Sequence, residues 1–308
     1  MRIAMVGAGG VGGHFGARLI HAGHEVFFVA RGAHAQALRT SGLRVESPLG
    51  NLDLKAVHVL DEGERPDNLD LAVVAVKLWD SEGAAQTVAR LAGPSTAALS
   101  LQNGVEKDDV LSRALGRERV LGAVTYVTAT LTEPGHIVQT GTLQRVVVGE
   151  LQGPASARVN AVVGAFRSAG IDAAASDDVR RVTWEKFVFL SAVSGMTALT
   201  RAPAGPVRGH SATRAMLLAS LEEAAAVARA EGAALDASFV PQQMQAIDAL
   251  APQALSSMAN DLLRGRRLEL EHLSGAIVRL AAKHRLAVPS HQAIYAALVL
   301  HAQGPLGA

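Results

Sequence analysis

A doubly wound, mainly parallel α/β sheet followed by an all-α region is the fold class this sequence predicts. Three observations predict it. Through the first half, short β-rich apolar runs alternate with helical patterns, the signature of a parallel sheet covered by helices. A glycine-rich turn, Gly7-Ala8-Gly9-Gly10-Val11-Gly12, stands between the first such run and the first helical pattern. Beyond Asp177-Asp178 helical periodicity continues and strand patterns cease.

In order, residues 2–6 read as a strand and 11–22 as a helix closed by Gly23. Residues 25–30 (EVFFVA) form a second strand, and 43–46 with 52–59 a strand pair or hairpin. Residues 71–76 (LAVVAV) are a continuous apolar run, as a strand buried on both faces would be. Another strand, 97–101, ends at Gln102-Asn103-Gly104. Residues 120–130 and 145–149 supply further strands, and 156–169 a helix closed by Gly170. In the second half, helices are expected over 217–229, 241–250, 253–263, 268–284 and about 290 to 301. The boundary is expected near Asp177, dividing the chain into domains 1–177 and 178–308.

The 308 residues are enough for two domains, each with a substantial core. With 49% hydrophobic and 19% charged residues the composition is that of a globular protein and excludes a disordered chain. A net charge of +1 gives no global field for nucleic acid or an anionic membrane, so any anion must be captured locally. The absence of cysteine removes disulfides, thiolate catalysis and Cys-based metal sites, and fits a reducing compartment. The N-terminus lacks the apolar core of a signal peptide, and the uncharged stretch 187–200 is too short to span a bilayer. The expectation is a soluble, cytoplasmic protein with no metal. His21, His24, His284 and His291 read as surface residues. Only five lysines stand against twenty-four arginines, and two of them, Lys77 and Lys186, lie against apolar stretches where a solvated charge is not expected.

The glycine turn has the spacing of a dinucleotide site. Gly7 permits a tight turn, Gly9 lets backbone approach a pyrophosphate, and Gly12 lets helix pack close on strand. The anion would sit on the free N–H groups of the helix N-terminus, together with the turn residues Ala8, Gly10 and Val11. An NAD site would place Asp or Glu at the end of the second strand to bind the ribose 2′-hydroxyl. This chain has Val29-Ala30-Arg31, and a guanidinium there suits the 2′-phosphate of NADPH. The first domain is therefore read as an NADP-binding Rossmann domain.

Reduction of a carbonyl by hydride requires a proton donor. The candidate is Lys186 in Trp184-Glu185-Lys186-Phe187, on a helix face that also carries Val182, Leu190, Val193 and Thr197. Burial on such a face favours release of the proton, and the alternative is a lysine whose stem covers apolar surface. Asn103, at the carboxyl end of a sheet strand, suits a ligand contact or a simple turn. Glu269 stands at a helix start, twelve residues after Ser257, where an acid is also explained by the helix dipole.

Taken together, these residues resemble the ketopantoate reductase family. The resemblance covers nearly the whole chain: GAGGVGG at the N-terminus, VAR at Arg31, VKLWD at Lys77, QNG at Asn103, WEKF at Lys186, and SSMANDLLRGRRLELEHLSG with Ser257 and Glu269. It implies a Rossmann domain followed by a helical substrate and catalytic domain, and NADPH-dependent reduction of 2-dehydropantoate to pantoate in pantothenate biosynthesis. It also implies roles. Lys186 would be the general acid, and Glu269 its partner at the substrate oxygen and beside the cofactor. Asn103 would bind substrate and nicotinamide, Ser257 the substrate carboxylate, Lys77 the cofactor side and Arg31 the 2′-phosphate.

The chain departs from the family where substrate-facing asparagines stand four and eight residues past the lysine. Here those substrate-binding positions are Leu190 and Ser194, and a third family asparagine aligns with Ala204. Three readings follow: a ketopantoate reductase with a modified pocket, a same-mechanism reductase of a more apolar 2-oxo acid, or a non-catalytic NADP(H) sensor. A small-molecule 2-oxo acid is the expected partner, and a homodimer through the second domain's helices is left open.

Overall fold

Residues 1–305 are described in the structure, a computed structural model. The strands are β1 (Arg2–Val6), β2 (Glu25–Val29), β3 (Leu43–Glu46), β4 (Leu52–Leu54), β5 (His58–Val59), β6 (Leu71–Val74), β7 (Ala97–Ser100), β8 (Val120–Glu133), β9 (His136–Glu150) and β10 (Asp172–Ser176). They form one sheet in the order β4-β3-β9-β8-β7-β6-β1-β2-β5, with β10 paired to β9. Pairing is parallel except at β3–β4 and β8–β9. Interleaved with them are α1 (Gly10–His21), α2 (Gly32–Ser41), α3 (Ser81–Leu91), α4 (Lys107–Leu115) and α5 (Ala157–Ser168).

Alternation along each central strand explains the layering. Ile3, Met5, Phe28, Val73 and Leu99 enter one apolar layer with Phe15 of α1 and Phe166 of α5. Ala4, Val6, Phe27, Ala72 and Val74 enter the other with Val88 of α3 and Leu111 of α4. Both faces are covered, which is why β6 and β7 contain no exposed position and read as unbroken apolar runs. The chain runs from β1 outward to β2 and β5, then returns to β6 on the other side of β1. That reversal makes a topological switch point at the carboxyl ends of β1 and β6, the place where open α/β sheets take ligands.

Two parts of the sheet exceed the sequence expectation. The strands read over 120–130 and 145–149 are the inner half of one long antiparallel hairpin, turned at Gly135 with φ +81°. Its outer half is largely exposed, so no apolar alternation announces it. Strand β10 consists of Asp172, three alanines and Ser176, a composition with little strand propensity; pairing with β9 imposes its conformation.

The chain divides into two compact units, Met1–Val182 and Thr183–Ala308. The division falls inside α6 (Val179–Thr200), later than the Asp177 expected from sequence, because Val179 and Val182 pack with Val124 and Val147 of the sheet. The second unit is helical throughout its described residues: α7 (Ala204–Gly209), α8 (Ser211–Ala230), α9 (Phe239–Asp248), α10 (Ser257–Leu263), α11 (Ser274–Lys283) and α12 (Pro289–Leu298). The helix expected over 268–284 is instead a 3₁₀ turn, Leu270–His272, followed by α11. The surface reading of His291 is also corrected. It is fully buried, with Nε2 donating to Ser220 O (3.0 Å) and Nδ1 3.3 Å from Ser274 Oγ, while Glu223 accepts the N–H groups of Ser290 and His291.

A second buried histidine makes the first unit sensitive to acid. His14 of α1 is fully buried, with Nε2 2.9 Å from Gln144 Oε1 of β9. Burial chiefly, and the Arg18 charge with it, push its pKa down from 6.5 to about 4 against the raising effect of the Gln144 bond. Below 6.5 the unfolded chain binds a proton that the folded chain refuses, so the stability present above 6.5 drains away as pH falls toward 4. The expected loss from this group is on the order of 3 kcal/mol across that window. In urea unfolding at pH 7 and pH 4.5, His14→Gln should lose correspondingly less than the unsubstituted protein. An equal loss in both would exclude His14 as the titrating group.

Candidate active site

The sequence-predicted residues of the first unit stand at the carboxyl ends of four adjacent parallel strands. In spatial order they are Asn103 beyond β7, Lys77 beyond β6, the Gly7–Gly12 turn beyond β1, and Arg31 beyond β2. Gly7 has φ +100°, and a Cβ there would lie 2.8 Å from Val76 N. A Cβ on Gly12 would collide with the Gly7 carbonyl oxygen, and one on Gly10 with the carbonyl of Ala129 in β8. Gly9 is different: nothing lies within 4 Å of where its Cβ would be. The turn is thus packed tightly on its protein side and open at Gly9. α1 begins there with no side-chain cap and no acid in its first turn. That combination fits the pyrophosphate of a dinucleotide, which would meet backbone N–H groups and the positive end of the helix dipole.

His34, which sequence reasoning missed, supports this turn. Its Nδ1 accepts from Gly135 N–H (3.0 Å), which leaves Nε2 to donate to Ala8 O at 2.8 Å. No local motif marks it, because its partners are 26 and 101 residues away. Arg31 occupies the N-cap position of α2, with its side chain 78% exposed and 3.3 Å from Asp80 Oδ2. A guanidinium so placed is accessible to a phosphate. Lys77 is exposed, its Nζ 5.7 Å from the centre of the Trp79 ring, and not in the apolar setting expected of it. The lysine buried in this unit is Lys107, 3% exposed, four residues past Asn103. Asn103 itself is half-buried, before Gly104 at φ +86°.

In the second unit, Lys186 and Leu190 of α6 are half-buried and Ser194 is fully buried, its Oγ without a hydrogen-bond partner. On the same helix, Val193, Met196 and Thr197 line a small apolar cavity with Ala204, Val207, Leu217 and Ile247, with room for little more than one water molecule. Thr197 contributes its methyl side to that lining; its Oγ1 donates to Val193 O (2.7 Å) and lies 2.9 Å from Ser256 Oγ. Ser256 in turn caps α10 by accepting from Ala259 N–H (3.0 Å), so Ser257 is the exposed first residue of that helix. Glu269 is 7% exposed and immediately precedes the 3₁₀ turn. The neighbouring acid, Glu271, is committed to the scaffold by Tyr295 Oη (2.5 Å) and Arg279 (3.4 Å).

Residues 3–153 match the family model described as ketopantoate reductase PanE/ApbA, and residues 178–302 match its C-terminal counterpart. The chain belongs to the ketopantoate reductase family. A 2-dehydropantoate 2-reductase from Archaeoglobus fulgidus is 34% identical over 90% of both chains. Among solved structures, a PanE/ApbA family ketopantoate reductase from Ralstonia eutropha JMP134 is 33% identical, with a TM-score of 0.87 over 98% of each chain. A D-mandelate dehydrogenase solved with NADH and anilino(oxo)acetate shares the fold, with a TM-score of 0.89 at 22% identity. The protein is accordingly an NADP-dependent oxidoreductase acting on CH–OH groups, with NADPH as cofactor and a small 2-oxo acid as substrate. Among the described residues no helix is long and apolar enough to cross a membrane, and no cluster of His, Cys, Asp or Glu could hold a metal.

The packing of the glycine turn separates two substitutions. Gly12→Ala should destabilise the protein by about 3 kcal/mol or more, because the clash is with backbone. Gly9→Ala should cost at most about 1 kcal/mol, the preference of an N-cap for glycine over alanine. Thermal unfolding of the two variants checks this; similar melting points would show that the turn is not packed as described.

Proposed function

We propose that this chain reduces 2-dehydropantoate to pantoate, with Lys186 as the proton donor. The reading is carried by a lysine half-buried on a helix whose next fourteen residues, 187–200, contain no charge. NADPH, when bound, supplies the hydride to the substrate C2 carbon. The developing alkoxide then needs one proton, and the Lys186 ammonium delivers it to the C2 oxygen. Glu269 holds that oxygen end and borders the cofactor, and the Ser257 hydroxyl takes the substrate carboxylate. Asn103 orients substrate and nicotinamide, and Lys77 lies on the cofactor side. The Gly7–Gly12 turn receives the pyrophosphate, and Arg31 receives the 2′-phosphate by releasing Asp80. A cytoplasmic setting goes with this reading.

Lys186→Ala should lower turnover by about 10²- to 10⁴-fold, the range of a general acid. The NADPH dissociation constant, measured calorimetrically, should stay nearly unchanged, since the glycine turn and Arg31 belong to the first unit. Lys186→Arg should not restore turnover, because a guanidinium does not release its proton at neutral pH. Near-normal turnover in Lys186→Ala would make the lysine a packing residue.

One observation favours a second reading, a 2-oxo acid with an apolar side chain. Leu190 and Ser194 stand where the family has asparagines, and Leu190 is half-buried on the same helix as Lys186, four residues further on. A polar substrate atom left without a partner costs about 1–3 kcal/mol, so two lost amides amount to roughly 10- to 10⁴-fold in kcat/KM. On this reading 2-oxoisovalerate outcompetes 2-dehydropantoate, and Leu190→Asn with Ser194→Asn shifts preference toward 2-dehydropantoate. Competition between the two substrates tests it. A thousandfold preference for 2-dehydropantoate that the double substitution lowers would return the first reading unamended.

A further inference from the structure

Just past the ends of β6 and β7, a backbone bond from Leu101 N–H to Val74 O spans 2.8 Å. Beyond it the side chain of Gln102 joins the two chains. Gln102 is 8% exposed. One of its amide hydrogens goes to Val76 O (3.0 Å) and the other to Ser81 Oγ (2.8 Å). Its Oε1 accepts from Ser100 Oγ–H at 2.8 Å, and Ser100 Oγ accepts the Gln102 backbone N–H at 3.2 Å. Ser81 Oγ–H passes the chain on to Leu78 O at 2.6 Å. The carbonyls on either side of Lys77, those of Val76 and Leu78, are therefore held by the network that also fixes the residue before Asn103.

The far side of Asn103 is held as firmly. The Lys107 ammonium donates to Ser100 O (3.2 Å), Ala123 O (2.8 Å) and Asp108 Oδ1 (3.0 Å), which uses all three of its hydrogens. It pins the start of α4 to the end of β7 and the first part of β8. A carboxamide is the group that the Gln102 position requires, since it offers two donors and an acceptor in one plane. A carboxylate would face the Val76 carbonyl without a hydrogen, and an apolar side chain would remove the partners of the Val76 carbonyl and the Ser100 hydroxyl hydrogen.

We propose that Gln102 is a positioning residue that couples Lys77 to Asn103, so that the two act on the cofactor as one unit. The inference rests on the reading of Lys77 and Asn103 as ligand contacts and adds the residue that sets their spacing. Misplacing a binding or reacting group by about 1 Å costs up to about a hundredfold, so the coupling is measurable.

The experiment is a cycle of substitutions read in two ways: NADPH dissociation constant by calorimetry without substrate, and kcat/KM with substrate. Lys77→Ala and Asn103→Ala are each expected to weaken at least one of these quantities. Gln102→Met, close to glutamine in size, is expected to weaken them by about tenfold in the otherwise unchanged protein. In the Lys77→Ala/Asn103→Ala background the same substitution is expected to cost less than about twofold. The same factor in both backgrounds, or no effect in either, would overturn the coupling. If Lys77→Ala and Asn103→Ala change nothing, the ligand reading itself falls, and the inference with it. Should Gln102→Met fail to fold, Ser81→Ala, which removes one acceptor of the same amide, must show the same pattern at about threefold. Additive losses there would likewise reject it.

Discussion

The contact between α1 and β1 is the constraint on which the first unit depends. Helix and strand approach so closely at Gly12 that one added carbon would strike the Gly7 carbonyl. This approach puts the start of α1 directly above the carboxyl end of β1, beside the switch point of the sheet. It also brings Phe15 into the layer formed by Ile3, Met5 and Phe28, so the turn rests directly on the core. Nothing comparable restrains Gly9, where an added Cβ would meet open space.

Much of this first unit was legible because its chemistry is local in sequence. Glycines six residues after the N-terminus, a strand before them and a helix after them specify one another without reference to the rest of the chain. The placement of Arg31 and Asn103 at the carboxyl ends of strands is legible for the same reason, since both follow apolar runs. What stayed hidden depends on partners far away. Lys107 is buried because carbonyls from two strands converge on it, whereas Lys77, beside a longer apolar run, projects into solvent. His34 and His291 look like ordinary surface residues until α2 meets the hairpin turn and α12 meets α8 and α11. Strand β10 is made of alanines and is a strand only by virtue of its neighbour.

The second unit yields to sequence in a different way. Helical periodicity announces its elements, and helices need few long-range partners to be recognised. The break before α11 was not legible, since Leu270–His272 differs from a helix start only in the hydrogen bonds it makes. The face of α6 that carries Lys186 was legible as apolar, and Leu190 on it is half-buried. Ser194 is fully enclosed, with an unpartnered hydroxyl.

The long β8–β9 hairpin has a consequence for how this chain tolerates change in length. Ala129 presses its carbonyl against Gly10, and Gly135 donates to the histidine that holds Ala8, six residues further along the same hairpin. The ladder between them is irregular between Leu131 and Glu133, so one added residue would change a bulge that already helps to set the distance between the two contacts. Such a change would move one contact on the glycine turn relative to the other. Most surface hairpins have tips free of the core; this one bears on the same glycine turn at two points six residues apart.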